Sequence, residues 1–222
     1  MRPYVIINCA MSLDGKLALT TRKQTRISSE DDLARVHKLR NNSDAILVGI
    51  GTVLSDDPKL TVKEKYLDLN NEKVKNPVRV VLDTFGRIPK NANVLNESAK
   101  TILFMGKGQK LNFTLPQNVS VYECNYSDGK LDLREVLHTL YALGIRKILI
   151  EGGSNIIHTF LNSHLVDELI VYIGSIIIGG NAPSLVDYPG AKSLDETIKL
   201  NLIHLEKIGN GILAKYKPEI IN

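Results

Sequence analysis

Tryptophan is absent from this 222-residue chain, cysteine occurs only twice and phenylalanine only four times. With aromatics at 5%, a core must be built from Ile, Leu and Val, and continuous runs of such residues favour buried strands. Cys9 and Cys124 lie far apart and neither belongs to a Cys-x-x-Cys pair. This excludes a disulfide scaffold and a four-cysteine zinc site, and leaves two free buried thiols in a reducing cytoplasm. The five histidines form neither His-Glu-x-x-His nor a His-x-Glu joined to Pro-Cys-x-x-Cys, so no metal site is expected. Charge of one sign is scarce as well: the net value is +4, and the 28 Lys and Arg are scattered. No basic block is interleaved with aromatics, so no nucleic-acid partner is expected. The small excess is either a solvated surface or an attraction for anionic small molecules such as phosphates. No signal-peptide pattern precedes Val5-Ile6-Ile7. The one long uncharged stretch, residues 169–186, is broken by Gly174, Gly179, Gly180 and Pro183. It reads as a buried strand and a following loop rather than a membrane span.

What is present is the balance of a globular protein, with 43% apolar and 23% charged residues. The length fits one domain over residues 1–222. Apolar runs predict strands over 4–10, 45–49, 78–82, 101–105, 119–123, 147–150 and 168–173. Ser28-Ser29-Glu30-Asp31-Asp32 predicts a helix start, because a hydroxyl cap and early carboxylates satisfy free amides and suit the helix dipole. Leu133, Val136, Leu137, Leu140 and Tyr141 predict an amphipathic helix stopped by Gly144. A short helix is expected through Phe160-Leu161, and a surface loop over the polar residues 63–76. Gly209-Asn210-Gly211 predicts a hairpin joining 202–208 to 211–217. The alternation implies an α/β fold of three layers, with a mostly parallel sheet and an antiparallel C-terminal edge.

Three of these strands end in small or hydroxylated residues: Gly49-Ile50-Gly51-Thr52, Asp83-Thr84 and Gly152-Gly153-Ser154. In open parallel sheets ligands bind beyond the carboxyl ends of the strands. Glycine there admits a phosphate to backbone amides, and a helix beginning at that point favours negative charge. Two such turns point to a pyrophosphate-bearing cofactor, although a Gly-Gly pair also serves as a plain tight turn. Gly49-Ile50-Gly51-Thr52-Val53-Leu54 lacks the third glycine of Gly-x-Gly-x-x-Gly, which disfavours an ordinary Rossmann site. Thr52 and Asp56 are one helical turn apart. They either meet a phosphate or ribose, or cap a helix and form the Ser55-Asp56-Asp57-Pro58 turn. Arg87 is either a surface cation or a partner for an adenosine 2′-phosphate. Glu151, at the end of a buried strand, needs a job or backbone amides to bond.

Taken together, these segments resemble the reductase domain of riboflavin biosynthesis. The resemblance rests on Met11-Ser12-Leu13-Asp14-Gly15-Lys16, Arg26-Ile27-Ser28-Ser29, and the run from Val48 through Gly51-Thr52-Val53-Leu54-Ser55-Asp56-Asp57-Pro58 to Thr61. It continues with Pro77 to Thr84, Arg87-Ile88-Pro89, Glu151-Gly152-Gly153 and Leu165-Val166-Asp167-Glu168. It implies a fold like that of dihydrofolate reductase and a cofactor, NADPH with NADH left open. It also implies a phosphorylated ribosylaminopyrimidine substrate whose ribose is reduced to a ribitylamino group. Thr52, Asp56, Thr84, Gly152, Gly153, Ser154 and Asn155 would then touch the cofactor. Asn8, Arg40, Leu60, Lys63 and Glu151 would lie on the substrate side. Glu151 and Lys16 are the candidate catalytic groups for proton movement. Arg26 replaces a tryptophan of bacterial relatives, and Lys63 replaces an arginine near the substrate phosphate. Those relatives fuse the domain to a zinc deaminase, and this chain resembles the stand-alone reductases. A homodimer through an exposed strand is expected. The rival expectations are a pterin or folate reductase of the same fold and a non-catalytic nucleotide-binding module.

Overall fold

The computed structural model describes residues 1–21, 25–68, 73–186 and 190–219. In chain order the elements are β1 (Tyr4–Ser12), α1 (Glu30–Asn41), β2 (Ala45–Gly49), α2 (Ile50–Asp56), β3 (Val78–Leu82), β4 (Thr101–Gly106) and β5 (Val119–Cys124). They continue with β6 (Tyr126–Ser127), β7 (Lys130–Leu131), α3 (Leu133–Ala142), β8 (Lys147–Ile150), α4 (Ser154–Asn162), β9 (Glu168–Gly174), β10 (Leu200–Ile208) and β11 (Gly211–Pro218). The chain divides into two compact units, residues 1–4 with 35–149 and residues 5–34 with 150–222.

The first unit carries strands in the order β8-β2-β3-β4-β5. The pairs β2–β3, β3–β4 and β4–β5 are parallel. Strands β2, β3 and β4 are short, mainly apolar runs because both faces are covered: Ala45, Ile46, Leu47, Val48, Val80, Val81 and Leu103 are fully buried. α3 lays Val136, Leu137 and Leu140 into the same core and is capped by Asp132, whose carboxylate accepts from the amides of Arg134 and Glu135. Within β3 the apolar pattern is broken by Arg79, which is 0% exposed. Its guanidinium is met by neutral acceptors, donating to Thr101 Oγ1 at 2.9 Å, to Asn96 Oδ1 at 2.9 Å and to the carbonyls of Asn93, Asn96 and Ala99. Burial pushes its pKa down to about 10, which leaves it charged at neutral pH.

The second unit carries the order β10-β11-β9-β1. β1 and β9 run parallel, with Asn8 opposite Ile170, whereas β11 pairs antiparallel with both β9 and β10. The mostly parallel sheet with an antiparallel C-terminal edge is therefore as the sequence implied. The hairpin turn is the two residues Gly209-Asn210, and of these only Gly209 has a positive φ, +57°. Val5, Ile7, Ile157, Phe160, Tyr172 and Leu213 form the core of this unit.

Several expectations need correction. No loop separates β2 from α2: the helix starts at Ile50 with Gly49 as its cap, so Thr52 lies inside the helix and does not cap it. The small hairpin β6–β7 was not foreseen, being only four paired residues long. The polar segment 63–76 contains a 3-10 turn at Glu64–Tyr66, and its residues 69–72 lie outside the described residues. Cys9 and Cys124 are buried and form no disulfide, as expected. Among the described residues no helix is long and apolar enough to cross a membrane.

Candidate active site

In the first unit, β2 is buried along its whole length and passes directly into α2. Thr52 and Asp56 are thereby set on one face of a single helical turn. Asp56 Oδ1 is sealed from water and has no hydrogen-bond partner among the described residues. Such an oxygen costs about 1–3 kcal/mol until a donor reaches it. Gly51 has no atom within 4 Å of where a Cβ would stand among the described residues, and its φ is not in the left-handed region. Neither packing nor backbone conformation demands glycine there, yet glycine weakens a helix. An orphaned acceptor beside an uncrowded glycine fits a dinucleotide, with a ribose hydroxyl or amide donor on Asp56 and close approach of the ligand over Gly51. The next residue, Asp57, is committed elsewhere: it closes α2 at φ +41° and its carboxylate accepts from the Asn93 backbone amide and side-chain Nδ2, each at 2.7 Å.

At the end of β3, Asp83 is fully buried, and its Oδ2 accepts the Ile88 amide at 2.8 Å. This bond closes the turn that carries Thr84 and Arg87. The Thr84 hydroxyl donates to the Gly129 carbonyl at 2.9 Å, so toward a ligand it can act only as an acceptor. Arg87 is exposed.

A third group in this unit lies between α1 and the segment after α2. Arg40 donates to the Thr61 carbonyl at 3.0 Å. One turn earlier on α1, His37 Nδ1 accepts the Lys63 amide at 3.2 Å. The His37 ring stacks on Tyr66 with centroids 4.8 Å apart, and the Lys65 ammonium lies 4.5 Å from the Tyr66 ring centre. Leu60 enters this segment buried and at φ +51°, a conformation that costs a leucine on the order of 1–3 kcal/mol. Burial first, then the cations Arg40, Lys63 and Lys65, hold the His37 pKa down to about 4. Three cations, Arg40, Lys63 and Lys65, thus gather around this spot, which suits an anionic ligand.

In the second unit, Asn8 is buried in β1. Lys16 is half-buried, pairs with Ser184 in an isolated bridge and donates from Nζ to Ser184 Oγ at 3.1 Å. Its loop is fixed by Asp14, whose carboxylate accepts from the Ser12 hydroxyl at 2.6 Å and from the amides of Ile178 and Gly179. Those bonds hold the Asp14 pKa down to about 2. After β8, Glu151 is half-buried, Gly152 and Gly153 take φ of +149° and +80°, and Gly153 caps α4, which starts at Ser154. Asn155 is exposed in the first turn. Arg26 is exposed and paired with Glu30 at 2.6 Å.

Residues 3–214 match the family model described as RibD C-terminal domain. The chain belongs to this family. It is 40% identical over 215 residues to a protein of Archaeoglobus fulgidus named 2,5-diamino-6-ribosylamino-4(3H)-pyrimidinone 5′-phosphate reductase, covering 95% of this chain and 96% of that one. A protein of the same name from Methanothermobacter thermautotrophicus is 39% identical over 217 residues, covering 97% and 98%. Among solved structures, a deaminase/reductase from Thermotoga maritima superposes with a TM-score of 0.81 at 29% identity, over 98% of this chain and 57% of that longer one.

Within this RibD C-terminal domain, the residues singled out from sequence fall into local groups: Thr52 with Asp56, Thr84 with Arg87, Arg40 with Lys63, and Glu151 with the Gly152-Gly153 cap. Sequence reasoning missed His37, Lys65 and Tyr66. The available signal was the three-residue spacing of His37 and Arg40, which puts both on one face of α1.

Proposed function

We propose that the chain reduces the ribose of 2,5-diamino-6-(ribosylamino)-4(3H)-pyrimidinone 5′-phosphate to the ribitylamino form, with NADPH as reductant. The observation that carries this reading is the likeness, at 39–40% identity over 95% or more of the chain, to two proteins named as that reductase. The orphaned Asp56 oxygen supports a dinucleotide, and the three cations around His37 support a phosphate.

When bound, NADPH supplies the hydride. Thr52, Asp56, Thr84, Arg87 and the Gly152-Gly153-Ser154-Asn155 turn hold the cofactor in this reading, with Arg87 suited to a 2′-phosphate. Arg40, Leu60 and Lys63 hold the sugar phosphate, and Asn8 serves the substrate. Opening the ribosylamino ring moves a proton to the ring oxygen and leaves a C1′–N double bond. Reduction then adds hydride at C1′ and a proton at nitrogen. Glu151 and Lys16 are assigned to these proton movements. No nucleophile is required, because holding two reactants in register can contribute roughly 7–11 kcal/mol.

In this reading residues 1–222 work as a single reductase domain, a length that fits one domain. It acts in the cytoplasm, in keeping with two cysteines that form no disulfide. It acts as a homodimer through β10, whose side chains are exposed along nearly its whole length. Loss of absorbance at the reduced-nicotinamide band on adding the ribosylamino substrate tests the reading. Binding of NADPH without its oxidation would overturn it in favour of a nucleotide-binding module, and turnover of dihydropterins or dihydrofolate instead would replace the substrate.

A further inference from the structure

His37 has no assigned task in that reaction, and a buried imidazole on a helix face is costly unless its nitrogens are used. The backbone amide of Lys63 can only donate, so the 3.2 Å contact makes Nδ1 the unprotonated nitrogen of the ring. The segment 60–66 is thus hung from α1 at two points, Arg40 on the Thr61 carbonyl and His37 under the Lys63 amide. A third support is the parallel stack of His37 on Tyr66, at 8° between planes. Lys63 and Lys65 project into solvent from the segment so held. Leu60 is kept in a left-handed conformation at its entrance, which persists only where neighbours over-determine it.

We infer that His37 is a positioning residue, whose neutral ring fixes the Lys63–Tyr66 turn so that Arg40, Lys63 and Lys65 form one subsite for the substrate's phosphomonoester. This rests on the reductase reading above, and adds Lys65, Tyr66 and His37 to it. The groups that face the imidazole are Arg40 on its own helix and Lys63, Lys65 and Tyr66 on the segment packed against it. All the charged ones are cations. An anion bound among them offsets their field, so it must raise the affinity of His37 for a proton.

Two variants and one titration test this. His37→Phe keeps a ring to stack on Tyr66 and loses the acceptor, whereas His37→Asn keeps an acceptor near the position of Nδ1. The Phe variant is expected to raise KM for the phosphorylated substrate about tenfold, more than it changes kcat, with KM for NADPH unmoved. The Asn variant is expected to recover most of that loss, and the penalty should vanish with the dephosphorylated substrate. In the wild-type chain, inorganic phosphate is expected to move the His37 NMR titration upward from about 4. An unchanged KM in the Phe variant, an equal penalty with dephosphorylated substrate, or a His37 titration indifferent to phosphate would overturn the inference. If the wild-type chain fails to oxidise NADPH with this substrate, the reductase reading falls. The phosphate titration, which needs no turnover, then decides the subsite by itself, as it does if His37→Phe does not fold.

Discussion

His37 is uncharged at pH 7, with burial as the larger cause and three nearby cations as the smaller ones. Its folded pKa lies below that of the unfolded chain, so between about 6.5 and about 4 the unfolded state binds the extra proton and stability falls as the pH is lowered. The full effect is on the order of 3 kcal/mol. Urea midpoints of the wild type should therefore drop between pH 7 and pH 4.5 by more than those of His37→Asn, which has no proton to gain. Equal drops would show that this imidazole does not titrate with folding. Individual side chains were unevenly legible. Asp56 and Thr52 could be read from a four-residue spacing. Arg79 could not, because an arginine inside a strand pattern says nothing of the carbonyls at Asn93, Asn96 and Ala99 that come together around it only in the folded chain. Leu60 was matched by motif alone, since no propensity scale announces a leucine at φ +51°.

At the scale of elements, α2 shows the tension between stability and ligand approach most clearly. Helix propensity favours Gly51→Ala by up to about 1 kcal/mol, and the open space around Gly51 admits the methyl group. The variant should melt higher than the wild type and bind NADPH about tenfold more weakly, by calorimetry or fluorescence titration. Unchanged affinity would remove α2 from the cofactor site. Strand positions were legible because buried parallel strands are apolar runs, recognisable even where a charged residue enters as Arg79 does in β3: 45–49, 78–82 and 147–150 came out with the bounds expected. The β2-to-α2 junction was less so. Glycine is a turn signal in sequence, but here Gly49 is extended and Gly51 helical, so a turn was expected where the chain simply changes from strand to helix. β6 and β7 escaped notice because two-residue strands have no period to detect.

For the whole molecule, the arrangement that separates a mostly parallel sheet from its antiparallel edge follows from the order of strands and the Gly-Asn turn, and it was legible. Assembly is less so, since it depends on which face of an edge strand remains bare. β10 exposes Leu202 (53%), Ile203 (48%) and Leu205 (59%). A long apolar edge of this kind invites pairing with another chain unless it is covered. Sedimentation should give a dimer for the wild type and a monomer for Leu205→Lys. A wild-type chain that sediments as a monomer at micromolar concentration would rule out assembly through this strand.

Both sulfur atoms of the cysteines are enclosed, Cys9 at 8% and Cys124 at 0% exposure. Desolvation and the neighbouring Glu135 carboxylate push the Cys124 thiol up to about 12. Maleimides and similar reagents act on thiolates that solvent can reach, so the native chain offers them almost nothing. A cysteine introduced at Lys207, on the outer strand, would accept a fluorophore against a silent background, and energy transfer between labelled copies would follow their association without any need to remove natural residues first.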